Sequence, residues 1–251
     1  MLIFKKTLPT IVLLLIWQIC SMFINKLFLP APIDVYKMIT ETLKSGLLLQ
    51  SLGASFWRIT LATIYSTIIA FLIGIAVINS KTLEKAILPI TNTIRYIPVT
   101  VFYPLLIMWL GIGETMKVTF LFIASFMFFL PTTIQAFEDT DKNLIEVGQV
   151  LGMSKLKITR HIIIKNAAPT LTKSFLMMYA IGWTYVIVAE SINTTKGLGY
   201  LKNIGTARGK TDLVFTAILT IVLINFLIDF FGNKLIDKVY KRKKATTKGV
   251  M

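Results

Sequence analysis

The 251-residue chain has a single cysteine, Cys20, and a single histidine, His161. An internal disulfide is therefore excluded, and so is a metal site built from clustered cysteine or histidine. Carboxylates are also scarce, with 12 Asp and Glu against 27 Lys and Arg. With one histidine and no paired carboxylates at catalytic spacing, a membrane-embedded enzyme has little support. No Gly-x-x-x-x-Gly-Lys-Ser/Thr run occurs, so the chain does not bind ATP through a phosphate loop. Apolar residues are abundant instead: they make up 55% of the chain and collect in long runs, with a mean hydropathy of +0.73. That pattern is the signature of membrane-spanning helices.

Six runs approach the ~20 residues needed to cross ~30 Å of hydrocarbon. They cover residues 8–29, 56–78, 87–110, 118–136, 168–189 and 213–236. The expected fold is thus all-α and polytopic, one membrane domain over residues 1–251. The first run follows Lys5 and Lys6. It is too long for a signal-peptide core and no small-residue cleavage site follows, so it reads as a retained span. Pro98 and Pro104 predict a kinked third span packed inside a bundle. Val35, Met38, Ile39, Thr42 and Leu43 recur at helical spacing and predict a short helix between the first two spans.

The net charge of +15 lies mainly between and after the apolar runs. It reads as a topology signal, not as a nucleic-acid surface. Basic residues gather at Lys5 and Lys6, at Lys81 and Lys85, between 142 and 165, and between 238 and 248. This places both termini, and the loop between the fourth and fifth spans, on the cytoplasmic side.

That loop, residues 139–169, is the longest polar stretch of the chain. Asp141 is placed to cap a helix in which Leu144, Val147, Val150 and Leu151 form an apolar stripe, with Glu146 and Gln149 off it. Gly152 falls where that helix ends, a position that favours glycine because it accepts positive φ. Ser154 can cap a second helix over 155–164, and Pro169 opens the next span. Two short helices joined at a glycine carry no chemistry of their own. They fit an element resting on the lipid surface, and equally a docking knob for another protein.

The same residues resemble the Glu-Ala-Ala loop of ATP-binding-cassette importer permeases. Glu146 and Gly152 match that pattern in type and spacing, and Ile162, Ile164 and Pro169 match its closing segment. Val147 and Gly148 replace the two alanines, and Lys165 replaces a common proline. Beyond the loop, Arg95-Tyr96-Ile97-Pro98, the Trp109-Leu110-Gly111-Ile112-Gly113-Glu114 run, Ala189-Glu190 and Gly197-Leu198-Gly199-Tyr200 fall in the order seen in the nitrate, sulfonate and taurine branch. The resemblance covers about residues 30–240.

It implies the type I importer fold, with six transmembrane helices in the permease. A second copy of the chain, a homodimer, would pair with a cytoplasmic ATPase dimer that binds ATP and Mg. An extracytoplasmic solute-binding protein would deliver the cargo, in a bacterial inner membrane. This chain would bind no cofactor, metal or nucleic acid. Glu146, Gly148, Gly152, Met153, Ser154 and Lys155 would form the coupling contact with the ATPase. The cargo implied is a small organic anion or a nitrate- or sulfonate-like solute. Relatives in the family carry vitamins or heterocyclic precursors of the thiamine-pyrimidine or riboflavin type, which stands as the alternative. A stand-alone secondary transporter would need more spans and an internal repeat, and neither is visible.

Ionisable residues inside spans need explanation, because each costs at least ~2.5 kcal/mol at mid-bilayer. Arg58 and Arg95 lie near span ends and are expected to snorkel to the interface. Glu190 either faces the translocation path or pairs with Lys196 or Arg58. Asp229 is expected to find a partner inside the bundle. Trp183, Thr184, Tyr185 and Glu190 are the candidates for lining the path.

Overall fold

The computed structural model describes the backbone of residues 2–247 and the side chains of residues 8–240. The basic ends expected to set topology therefore lie largely outside the described side chains. Among the described residues all regular structure is helical. The order is α1 (Leu2–Phe23), α2 (Pro32–Lys44), α3 (Leu47–Asn79), α4 (Lys81–Ile94), a 3-10 turn (Val99–Val101), α5 (Phe102–Leu110), α6 (Glu114–Glu138), α7 (Lys142–Val150), α8 (Lys155–Ile158), a π turn (Thr159–Ile163), α9 (Ile164–Ala189), α10 (Leu198–Ala207) and α11 (Thr211–Thr247).

Among the described residues, four helices are long and apolar enough to cross a membrane: α3, α6, the continuous Lys155–Ala189 run, and Thr211–Tyr240 of α11. The third apolar run of the sequence is not one kinked helix. It is two, Lys81–Ile94 and Val99–Leu110, set at 92°. Pro98 has no N–H to continue α4, and it biases Ile97 away from helical backbone. The chain closes α4 with tight turns, Tyr96 N–H to the Thr93 carbonyl at 3.0 Å and Ile97 N–H to Ile94 at 3.2 Å. Pro104 then sits in the first turn of α5, where its missing N–H costs nothing. The six runs thus become four long helices, one bent pair and α1. The described apolar part of α1, Leu8–Phe23, reaches about 24 Å at 1.5 Å per residue. Helix α2 forms where the spacing predicted it, with Val35 and Thr42 buried.

The chain packs as two compact units, one of residues up to Phe56 with Val186–Leu223, the other of Trp57–Tyr185 with Ile224 onward. In the second, α3, α6 and α9 share a core of Ala70, Val77, Phe129, Leu130, Ile134 and Met178. Glycines permit the close approach. A β-carbon on Gly74 would come within 2.9 Å of Phe137, and one on Gly182 within 2.7 Å of Ile59. Arg58 does not snorkel. It is 6% exposed and pairs with Glu114 at the start of α6. Asp229 is exposed, and its contact is Asn233, one turn further along its own helix. In the first unit, Trp17 donates to the Pro30 carbonyl at 3.0 Å and stacks on Phe215 at 5.5 Å. The Thr211 hydroxyl donates to the Leu27 carbonyl. Large exposed side chains such as Ile68, Leu72, Val222, Leu223, Phe226 and Phe230 give these helices the apolar exterior that lipid requires.

Candidate functional site

The polar segment at 139–169 forms the knob that its spacing predicts. Asp141 caps α7, its carboxylate accepting from the Asn143 N–H at 3.0 Å. The helix ends in a Schellman motif: Met153 N–H donates to the Gly148 carbonyl at 3.0 Å and Gly152 N–H to Gln149 at 2.9 Å. Gly152 carries φ +71°, as that motif demands. Ser154 occupies the N-cap position of α8 with extended backbone, but its side chain makes no capping bond.

The second helix of the knob does not stop before the next span. It passes through the π turn at Thr159–Ile163 and continues as α9. Pro169 therefore lies inside α9 and does not open it. The replacement at Lys165 helps explain this, because its N–H keeps the backbone ladder that a proline there would break.

Inside the knob, α7 lies against the α8–π segment at Gly148. The residue is buried, and a β-carbon there would meet Ile162 Cδ1 at 2.7 Å and Ile158 Cγ1 at 3.3 Å. A tether fixes the assembly to α3: Thr159, 4% exposed, donates to Asn79 Oδ1 at 3.1 Å. The His161 ring nitrogen Nδ1 lies 3.1 Å from the Lys157 carbonyl.

The outer face of the knob is apolar and open. Val147, Val150, Leu151 and Leu156 are 57, 87, 73 and 75% exposed, and Glu146, Gly152, Ser154 and Lys155 are exposed beside them. Met153 is half-buried. An open groove of about 430 Å³ runs along Leu144, Val147, Gly148, Leu151, His161 and Ile162. Five of the six residues with coupling roles in the resemblance thus reach the surface. Gly148 instead holds the two helices together.

The path candidates divide differently. Thr184 is exposed and Tyr185 half-buried, the latter edge-on to Phe120 at 6.2 Å. Trp183 and Glu190 are fully buried. Trp183 packs edge-on to Tyr179 at 6.4 Å. Glu190 accepts from Ser55 and from the Gly199 N–H. The Asn79–Thr159, Arg58–Glu114 and Ser55–Glu190 contacts join residues 80, 56 and 135 positions apart. Local spacing has no access to such separations.

Helices long and apolar enough to span a membrane, with a capped, apolar knob outside them, define a polytopic membrane protein with an exposed docking surface. The chain belongs to the family described as binding-protein-dependent transport system inner membrane component, which matches residues 66–240. It is 30% identical over 219 residues to the taurine transport system permease protein TauC of Escherichia coli, covering 85% of this chain and 80% of that protein. It is 26% identical to the putative aliphatic sulfonates transport permease protein SsuC of Bacillus subtilis, over 96% and 88% of the two. The riboflavin transport system permease protein RibX of Chloroflexus aurantiacus is 30% identical, over 87% and 81%. The fold matches a chain of the inward-facing MetNI methionine ABC transporter, with TM-score 0.63, 20% identity and coverage of 77% and 96%. The protein is the permease subunit of an ABC importer, a multi-pass inner-membrane component whose family works with an ATPase and a binding protein.

Proposed function

We propose that this permease imports a small sulfonate-type organic anion as a homodimer, with both termini and the 139–169 knob in the cytoplasm. ATP and Mg act on an ATPase dimer, and the knob docks into that ATPase. One observation carries the coupling role: the exposed apolar face of Val147, Val150, Leu151 and Leu156 sits on a rigid, capped element. Such a face needs a covering partner. Glu146, Gly152, Met153, Ser154 and Lys155 border it and make the contact. An external binding protein delivers the anion, and Thr184 and Tyr185 line its route.

The cargo class is supported by the likeness to taurine and aliphatic sulfonate permeases. The exposed Lys196, Arg208 and Lys210 would attract an anion. The likeness to RibX supports a heterocyclic cargo as the second reading. The test is uptake into proteoliposomes holding the permease with its ATPase and binding protein. Expected is ATP-dependent uptake of taurine, competed by alkanesulfonates. Riboflavin uptake with none of taurine would move the cargo to the heterocycle class. Uptake that continues without ATP would overturn the reading altogether.

A further inference from the structure

Glu190 follows the last residue of α9, and its side chain is completely buried. A carboxylate at a helix C-terminus faces the negative end of the helix dipole, and burying it is costly without compensation. Compensation comes from two other elements of the same unit. The Ser55 hydroxyl, on α3, donates to the carboxylate and lies 2.9 and 3.0 Å from its two oxygens. The Gly199 N–H donates to Oε2 at 2.8 Å, while the Leu198 N–H donates to Ser55 Oγ at 2.9 Å. Leu198 and Gly199 open α10, and the N-cap residue Gly197 has no side chain to cap with. Ser55 and Glu190 therefore cap α10 from elsewhere in the fold, doing what a local Ser or Asp does for most helices.

The glycines are required by this arrangement. A β-carbon on Gly197, at φ +139°, would fall 2.2 Å from Glu190 Oε2, and one on Gly199 would fall 2.5 Å from Glu190 Cβ. Asn203 closes the other side, its Nδ2 donating to the carbonyls of Glu190 at 3.2 Å and Ser191 at 2.9 Å. These carbonyls lie just past the end of α9, where no further helical turn supplies a partner. The 191–197 loop is thus held at both ends.

We infer that the Ser55–Glu190 pair is a positioning latch for transport: it locks the end of α9 and the start of α10 onto α3, so that the three shift together during the transport cycle. A local cap would hold α10 at less cost than a buried carboxylate. What the long-range version adds is a fixed link between α3 and the end of α9. The helix that ends at this latch begins at the knob segment and runs unbroken along the chain from Ile164 to Ala189. The inference rests on the chain being an importer permease and not on its cargo.

The experiment uses the whole importer, purified with its ATPase and its binding protein, and the variants Ser55→Ala, Glu190→Gln and both together. Hydrogen exchange should quicken at least tenfold across residues 195–201 in each variant and stay unchanged in 142–165. Hydrolysis stimulated by the binding protein should fall at least fivefold in maximal rate. Its half-saturating binding-protein concentration and basal hydrolysis should hold. The double variant should lose no more than the worse single one, and Ser55→Thr should recover part of the rate. Unchanged exchange, or losses that add in the double variant, would overturn the latch. Ser55→Ala removes one oxygen, so it covers the case in which Glu190→Gln does not assemble. Failure of Ser55→Ala to assemble as well would assign the pair to folding alone and overturn it too.

Discussion

Arg58 holds Glu114 through both carboxylate oxygens, Nε at 2.5 Å from Oε2 and Nη2 at 2.8 Å from Oε1. Lys117 joins from the other side, 3.1 Å from Oε1. The two cationic side chains are 8 and 3% exposed, whereas that of Glu114 is 61% exposed. One carboxylate at the edge of the fold therefore serves two buried charges behind it, and joins α3 to the start of α6.

Glu114→Gln removes the charge that both cations share. Solvent screens the exposed carboxylate and both cations keep other contacts, so the loss is about 1.5 kcal/mol, between that of an exposed and a buried pair. For a chain of this size each kcal/mol is worth about 2–4 °C. The thermal midpoint in detergent should therefore drop by roughly 3–6 °C. A midpoint in Glu114→Gln within two degrees or so of the parent would contradict the account.

The 139–169 knob was legible in the sequence because its determinants are local. Asp141, the stripe at Leu144, Val147, Val150 and Leu151, and Gly152 at the joint act within about ten residues, and each has a single structural use there. The long apolar runs were legible for the same reason. The break at Pro98 was visible as a proline, but its 92° angle was not, because an angle depends on what the two halves pack against. Arg58 and Asp229 were misread because a charge in a span has two solutions, reaching out to water or meeting a partner. The partner of Arg58 lies 56 residues away. Pro169 was misread because a proline fits both the first turn of a helix and a tolerated interior position, and the π turn before it decides.

Gly148 separates a steric requirement from a functional one. Its missing β-carbon would approach the end of the Ile162 side chain at 2.7 Å, an atom that can rotate away. Gly148→Ala should be nearly neutral, since the helix gains about 0.5–1 kcal/mol from losing a glycine. Gly148→Leu should cost about 1–3 kcal/mol by overpacking and separate α7 from the α8–π segment. Co-purification of the ATPase in mild detergent would report it, with Ala retaining the partner and Leu losing most of it.

Thr159→Val keeps shape and removes the donor to Asn79 Oδ1. One hydrogen bond contributes about 1 kcal/mol, so the fold survives while the knob loses its tether to α3. Hydrogen exchange should rise across 155–165 and stay unchanged in the core of α6. Asn79→Ala should give the same pattern. If the two variants affected different segments, the tether would not be the cause.

Gly152 tests the joint of the knob without steric interference. Beyond its own chain neighbours, no atom lies within 4 Å of where its β-carbon would be, yet φ is +71°, so any penalty is conformational. An L-residue in left-handed backbone costs about 1–2 kcal/mol, and asparagine bears it more easily than others. Valine adds a β-branched side chain, for which positive φ is a true outlier. The three substitutions should therefore rank Asn, Ala, Val in increasing harm. The rank should appear in ATP hydrolysis stimulated by the binding protein, with the amount of permease in the membrane unchanged. Gly152→Val should lose stimulation almost entirely, because a Schellman turn that cannot close tilts Val150 and Leu151 away from the docking face. Equal activity across the three would mean that the turn opens when the ATPase binds, and would remove Gly152 from the coupling contact.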